Sequence, residues 1–303
     1  MKLGFALPQI GTEAGPDGLI RAAGLAEKLQ YDSVWVLERV LWPVRPLDKY
    51  PATPDGSLPE PYQFVLDPIE TLTYVAGITN NVKLGTSVLV APWHSPLLAA
   101  RRLATLDVLS KGRLLCGLGV GWSHDEYAAC GVPFANREAR MKEWLEVLVA
   151  IWTQDTVEYK GQYYTIPASK IGPKPVQKPH PPIYQAAYTP RALQRTGLFQ
   201  GWNPTPPPNW DWLQEQSTNL RQIARQAGRN PDSLEIVLRT FPTVSKQPRS
   251  DSGWLFTGIM AQIKDDAKRA AELGVTHIVM DLQFNTSGLE ALLQGVEQLR
   301  ELA

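Results

Sequence analysis

Several common kinds of site are hard to build from what this chain of 303 residues contains. Cysteine is scarce: Cys116 and Cys130, in a predicted strand and a short predicted helix, are the only two. That excludes a disulfide framework and suits a reduced, intracellular protein. The four histidines stand nowhere at metal-ligand spacing with cysteine or aspartate, so no metal is expected. No G-x-S-x-G run offers a nucleophile elbow. No G-x-G-x-x-G follows a strand in the first βαβ unit, which weighs against a dinucleotide fold. The net charge is zero, leaving no basic surplus for nucleic acid or an anionic membrane. No apolar run approaches the roughly 20 residues of a membrane span. The opening MKLGFALP holds too short an apolar core for a signal peptide. A soluble cytoplasmic protein acting on a small molecule is the expectation.

What the chain does contain is organised around Val82–Tyr127. A strand over Val82–Val90 stops at Ala91-Pro92. Ser95-Pro96 then opens a helix, with serine at the cap and proline where its missing N–H costs nothing. Ala99, Leu103, Leu106 and Leu109 form the predicted buried stripe, with Arg101 facing away. Lys111-Gly112 closes the helix. Arg113–Leu118 is the next strand, and Gly119-Val120-Gly121 ends it. Strand, covering helix and strand are the parts of a right-handed parallel βαβ unit.

The rest repeats the theme. Strands are predicted at Leu3–Leu7, Ser33–Leu37, Ile183–Ala187, around Gly201-Trp202, at Leu234–Phe241 and at Val275–Asp281. Helices are predicted at Asp17–Gln30, from Asp67-Pro68 to Ile78, at Arg137–Trp152, from Thr189-Pro190, at Asp211–Ala227, Gly258–Leu273 and Ser287–Leu302. Residues 42–66 break every period, and loops of that length in compact domains are usually functional or disordered. Residues 155–182 hold a hairpin about Lys160-Gly161 and a proline-rich connector. Eight strands alternating with helices predict one (β/α)8 TIM barrel over 1–303, enlarged by excursions at 42–66 and 155–182. An open doubly wound sheet is the rival. In either fold, ligands gather at the C-terminal ends of the strands.

The run ATLDVLSKGRLLCGLGVGWSHDEYAACGVPFANREAR, the LEVLVAIWT helix, the KGQYY hairpin and PKPVQKPHPPIY together resemble the luciferase-like monooxygenase superfamily. The nearest likeness is to its branch dependent on the deazaflavin coenzyme F-420. The resemblance spans essentially the whole chain and is strongest from Asp67 to Tyr184. It implies a bacterial-luciferase-like barrel that binds a flavin or deazaflavin at its C-terminal mouth and passes two electrons to or from an organic substrate. It implies a cis peptide at Ser87–Val88, behind the central ring of the coenzyme. By the same resemblance, small residues at Gly119, Val120 and Gly121, with Trp122, let the ring lie against the backbone, and Glu126 holds the family's acidic position. Ala187, Tyr188, Thr189 and the helix begun by Arg191 are where the family holds a phosphate, since a helix N-terminus favours an anion.

Three positions depart from that branch. Glu38-Arg39 stands where it has Asp-His, so the usual imidazole near the reacting carbon is missing. Gln185-Ala186-Ala187 is closer to the Gln-Ala-Gly of flavin-mononucleotide (FMN) relatives than to a Gly-Gly pair. Gln200-Gly201-Trp202 replaces Asp-Gly-Trp. Glu38 is read as the catalytic acid/base or as a cofactor-orienting group, against an idle strand-end carboxylate. Arg39 is read as a cofactor or anion contact, against a surface salt bridge. His94 is the histidine nearest the site in chain order, either a catalytic contact or a loop cap. His124 is read as a cap or surface group, His180 as structural, His277 as a satisfied interior residue. Trp42, Tyr50, Tyr62 and Phe64 either cover an apolar substrate or form the surface of a homodimer. The expected function is hydride transfer between F-420 and a small organic substrate. An FMN-dependent monooxygenase and a non-catalytic flavin-binding barrel are the alternatives.

Overall fold

The structure, a computed structural model, describes residues 1–53, 55–250 and 253–302. Short runs of apolar and β-branched residues make eight strands: β1 Lys2–Ala6, β2 Ser33–Val36, β3 Lys83–Thr86, β4 Leu114–Gly119, β5 Ile183–Gln185, β6 Gly201–Trp202, β7 Glu235–Thr240 and β8 His277–Met280. Each pairs in parallel with the next in the chain, and β8 returns to β1 with His277 beside Lys2. The sheet therefore closes as a (β/α)8 barrel, and the open-sheet rival is set aside.

The barrel interior is filled by Trp35, Leu115, Tyr184, Val237 and Val279. The Trp35 ring needs the space beside β3: a Cβ added at Gly85 would sit 2.2 Å from it. The larger core lies between the strands and the helices α1 Pro16–Lys28, α2 Pro68–Ile78, α3 Pro96–Leu109, α4 His124–Ala129, α5 Arg137–Thr153, α6 Pro190–Thr196, α7 Trp210–Gln226, α8 Met260–Glu272 and α9 Leu289–Leu299. The α5 face of Met141, Trp144, Leu145, Leu148, Ile151 and Trp152 is buried throughout. Two of its indoles are hydrogen-bonded as well: Trp152 Nε1 donates to the Ala100 carbonyl (3.0 Å) and Trp144 Nε1 to that of His94 (3.0 Å).

Several local expectations are corrected. Asp67 and Thr189 cap α2 and α6 through their side chains, but Ser95 holds the cap position of α3 without a side-chain bond. Leu109 is exposed, and the buried position on that helix belongs to Asp107. Its carboxylate accepts from the backbone of Val176 (2.8 Å) and Gln177 (3.0 Å) and from the Gln177 amide (2.7 Å), so it fastens the proline-rich connector to α3. Within 155–182 the hairpin pairs Val157–Lys160 with Thr165–Ser169, and the connector follows Ser169. Gly258 lies outside α8. Its φ of +106° suits glycine, and it pairs with Val244 in a small parallel ladder. The strand predicted over Val82–Val90 stops at Thr86 and resumes as Leu89–Val90, where it runs beside Leu118–Gly119. Between the two pieces lies the Ser87–Val88 peptide, which is cis.

The excursion at 42–66 returns to the mouth of the barrel. Val65 bridges to Ile10, and Tyr62 is buried with Ile10 and Leu37. Buried Gln9 donates to the carbonyls of Leu37 (2.8 Å) and Leu66 (2.5 Å), tying β2 to the end of the excursion. Trp42 packs against that cluster, whereas Phe64 is 53% exposed and covers nothing. Among the described residues, no helix is long and apolar enough to cross a membrane.

Candidate active site

At the C-terminal ends of the strands lies a cavity of about 390 Å³. Glu38 and Arg39 enter it from β2, Ser87 and Val88 from the break after β3, Gly119–Trp122 and Glu126 from β4 and its loop, and Tyr188 from the loop after β5. Residues chosen far apart in the chain thus meet at one place. Three do not line it. Ala187 is buried in the core with its carbonyl accepting from Trp202 Nε1 (2.9 Å), Thr189 is engaged in capping α6, and His94 stands behind Glu38.

Glu38 is not idle. Its Oε2 accepts the Val90 backbone N–H (2.6 Å), and its Oε1 lies 2.8 Å from His94 Nε2. The carboxylate therefore binds the chain just after the strand break and the histidine beyond it. Burial pulls the His94 imidazole down, but the bond to Glu38 and its charge outweigh that, and its pKa is raised.

Arg39 makes no surface salt bridge. Its side chain is buried, and Nη2 lies 3.2 Å from Oε2 of buried Glu126. The guanidinium stacks over Trp122 (4.8 Å to the ring centre) and Tyr62 (5.4 Å). Among the described residues Nε has no hydrogen-bond partner, and Nη2 meets Glu126 as an ion pair without hydrogen-bond alignment. Glu126 also accepts the Val40 N–H (3.0 Å), and burial raises its pKa against the opposing pull of Arg39. This pair makes the β2–β4 wall polar but nearly neutral.

The floor is held by residues that sequence reasoning missed. Ser87 Oγ donates to Asn203 Oδ1 (2.8 Å), and Asn203 Nδ2 donates to the Val237 carbonyl (2.8 Å). Arg239 Nη1 donates to the Ser87 carbonyl (3.1 Å), while its Nε donates to buried Asp281 (3.1 Å). Burial disfavours the Arg239 charge, yet Asp281 more than compensates and its pKa is raised. The available signal was a polar residue at the C-terminal end of an apolar strand: Arg239 in β7, Asp281 after β8, Asn203 after β6. Of the predicted aromatic cover, Tyr50 and Tyr62 line the cavity, their hydroxyls 3.1 Å apart.

Gly119 has a further reason beside the expected one. A Cβ there would meet Val88 Cγ2 at 2.6 Å, so the glycine admits the neighbouring piece of β3. The other histidines stand apart from the cavity. His124 pairs with Asp48 (2.9 Å) at the surface, His180 meets the Pro181 carbonyl (2.7 Å), and His277 is buried against Ser33 (2.8 Å). Among the described residues, no group of three or more His, Cys, Asp or Glu is placed to hold a metal.

A closed parallel barrel with its apolar cavity and charged pairs at the C-terminal mouth is the frame of a small-molecule barrel enzyme. The sequence profile of the luciferase-like monooxygenase family matches residues 2–276, and the chain belongs to that family. It is 32% identical over 263 residues to an uncharacterised protein of Mycobacterium tuberculosis, covering 86% of each chain. It is 33% identical over 187 residues to an F-420-dependent glucose-6-phosphate dehydrogenase of Amycolatopsis mediterranei, covering 60% of this chain and 51% of that one. Over 192 residues it is 28% identical to an FMNH2-dependent dimethylsulfone monooxygenase of Pseudomonas putida, covering 62% and 52%. The crystal structure of the monooxygenase RslO1 from Streptomyces bottropensis shares the fold, with a TM-score of 0.81 at 20% identity over 99% and 98% of the two chains. The family contains F-420- and FMN-dependent oxidoreductases and monooxygenases.

Proposed function

We propose that the protein transfers a hydride between F-420 and a small organic substrate held together in the mouth cavity. The observation that carries this reading is the convergence of Glu38, Arg39, Ser87, Val88, Gly119–Trp122 and Tyr188 on that one space. Its volume lies in the range of about 300–1,000 Å³ usual for small-molecule sites. The lining fits a planar ring with one hydrogen-bonding edge: Val88, Val120 and Trp122 are apolar or aromatic, and Arg39 carries an Nε–H without a partner among the described residues. When bound, the coenzyme supplies the two-electron chemistry. The protein's part is to exclude water with Tyr50, Tyr62 and Trp122, to orient the ring beside the Arg39–Glu126 pair, and to hold a proton on the Glu38 carboxylate. Arg39 pairs with Glu126, so its charge is directed away from the acid/base role. FMN is the second reading, supported by the Pseudomonas relative and by Gln185-Ala186-Ala187 at the end of β5.

Titration of the purified protein with F-420 and with FMN, following tryptophan quenching, tests the proposal. F-420 is expected to bind more tightly and to be reduced or oxidised by a panel of small alcohols, aldehydes and enones. Tighter FMN binding with oxygen-dependent turnover overturns it in favour of a monooxygenase. Binding without any turnover leaves a storage or sensing barrel. The same sample's mass by light scattering reads the expected homodimer, which exposed Tyr74 and Ile78 on α2 and Leu98 and Leu109 on α3 support.

A further inference from the structure

We propose that His94 is the outer member of a proton relay whose inner member is Glu38, so that protons enter and leave the cavity through the barrel wall. This rests on the oxidoreductase reading above. Hydride transfer to or from an alcohol or carbonyl leaves one proton to be moved for each hydride, and the walls of the cavity are mostly apolar. Glu38 lines the cavity and also touches an imidazole outside it.

The geometry sets a direction. Glu38 is buried, with Oε2 fixed by the Val90 N–H and Oε1 facing His94 Nε2 at 2.8 Å. The His94 side chain is 21% exposed and does not line the cavity, so its free side looks away from the substrate. Its backbone is held at both polar groups, the N–H donating to the Ala91 carbonyl (3.1 Å) and the carbonyl accepting from Trp144 Nε1 (3.0 Å). The charged groups facing the ring are Glu38 from β2, Arg102 from α3 and Asp67 at the start of α2. Arg102 is itself paired with Asp67 (3.4 Å) and with Glu70, so the outer end opens on a solvated cluster of one guanidinium and two carboxylates.

In the oxidising direction Glu38 would take the proton of the substrate hydroxyl, and a bound deazaflavin would supply the acceptor for the hydride. Glu38 passes that proton from Oε1 to Nε2 of a neutral His94, and the resulting imidazolium releases its Nδ1 proton to solvent. The reverse sequence delivers a proton to a carbonyl being reduced. His94 touches neither substrate nor coenzyme in this scheme and acts through Glu38.

Two measurements test it. In the coenzyme-free protein, the His94 ring is titrated by NMR in the wild type and in Glu38→Gln. The relay requires a pKa above the free value of about 6.5 in the wild type and a fall in the variant. An unmoved titration overturns it, because the two groups are then not coupled in solution. In turnover assays, His94→Ala is expected to lose on the order of 10²-fold in kcat with coenzyme affinity unchanged, and added imidazole to restore at least about tenfold. Full activity of His94→Ala overturns the relay and sends the proton through the mouth. Loss without rescue overturns it too and makes His94 a structural prop for Glu38, a role His94→Gln then retains. If the wild type turns over no substrate with any deazaflavin or flavin, the oxidoreductase reading falls first and the relay with it, whatever the titration shows.

Discussion

The barrel has a cavity at each end, and the larger one lies at the end opposite the proposed site. The N-terminal cavity, about 680 Å³, is bordered by Lys2, Glu27, Asp32, Lys83, Glu235 and His277, against about 390 Å³ at the mouth. Its polar groups serve the chain itself. Asp32 accepts the Leu3 N–H (2.8 Å), Glu27 accepts those of Asn80 (2.8 Å), Asn81 (2.7 Å) and Val82 (3.1 Å), and Tyr184 donates to Glu235 (2.8 Å). At the mouth, Arg39 keeps its Nε–H without a partner among the described residues and Glu38 links the cavity to a histidine. Volume does not separate a site from a gap; the state of the polar groups does. One end of the barrel uses its charges for closure, the other keeps some available for a guest.

The largest expected effect that sharpens this contrast concerns His277. Ser33 Oγ accepts from Trp35 Nε1 (2.6 Å), which leaves its own proton to donate to His277 Nε2 (2.8 Å) and holds the imidazole neutral. Burial, with Lys2 nearby, lowers its pKa to about 3. The unfolded chain therefore takes up this proton first as pH falls below about 6.5, and the native state is destabilised progressively down to about pH 3. By pH 4 the loss from this one group is on the order of 3 kcal/mol. Urea unfolding at pH 7, 5 and 4 is expected to show a flatter pH dependence for His277→Gln than for the wild type, with coenzyme binding at pH 7 retained. Parallel pH dependences would refute the assignment.

At the mouth, Gly119→Ala is expected to cost about 1–3 kcal/mol, as overpacking usually does. It should also weaken coenzyme binding, because Val88, the residue displaced, lines the cavity. Adding Val88→Ala should recover stability. If the double variant melts no higher than the single one, the contact with Val88 is not the cause.

The smallest effect is expected for Glu27→Gln. Burial raises the Glu27 pKa, but the N–H groups of Asn80–Val82 and the Asn81 amide draw it down to about 2. Its contribution is present above about 4.5 and lost as pH falls towards about 2. Solvent screening keeps it under about 1 kcal/mol. The variant should lose that little at pH 7, lose nothing near pH 2, and bind coenzyme as the wild type does. A weakened coenzyme would break the division between the two ends.

How far the sequence could be read follows the distance over which each feature is decided. Asp67-Pro68 and Thr189-Pro190 announce their helices within three residues, and both caps are found as predicted. The organising stretch predicts a covered parallel unit, which forms, yet Leu109 was assigned to the core by periodicity alone. Nothing in that period tells where residues 176–177 will lie, and it is they that bury Asp107. The mouth was legible where a family pattern marks it, on β2, β3 and β4. It was illegible where two strand ends must first meet: Glu38 with His94, Arg239 with Asp281. Those pairs lie 56 and 42 residues apart and become neighbours only when the adjacent strands that carry them pair.

The grip of Arg239 on the Ser87 carbonyl has a consequence for how such a site can be assembled. The first half-barrel, β1 to β4, carries Glu38, Arg39, Val88 and Gly119–Trp122, most of what faces the guest. It holds the Ser87 N–H through the Val36 carbonyl (2.7 Å), but the partners of the Ser87 hydroxyl and carbonyl come from the residue after β6 and from β7, the latter braced by the residue after β8. Recognition belongs to one half and rigidity to the other. A fragment ending before Arg239 would keep the lining and lose the posture, so the two halves of this chain are not interchangeable modules.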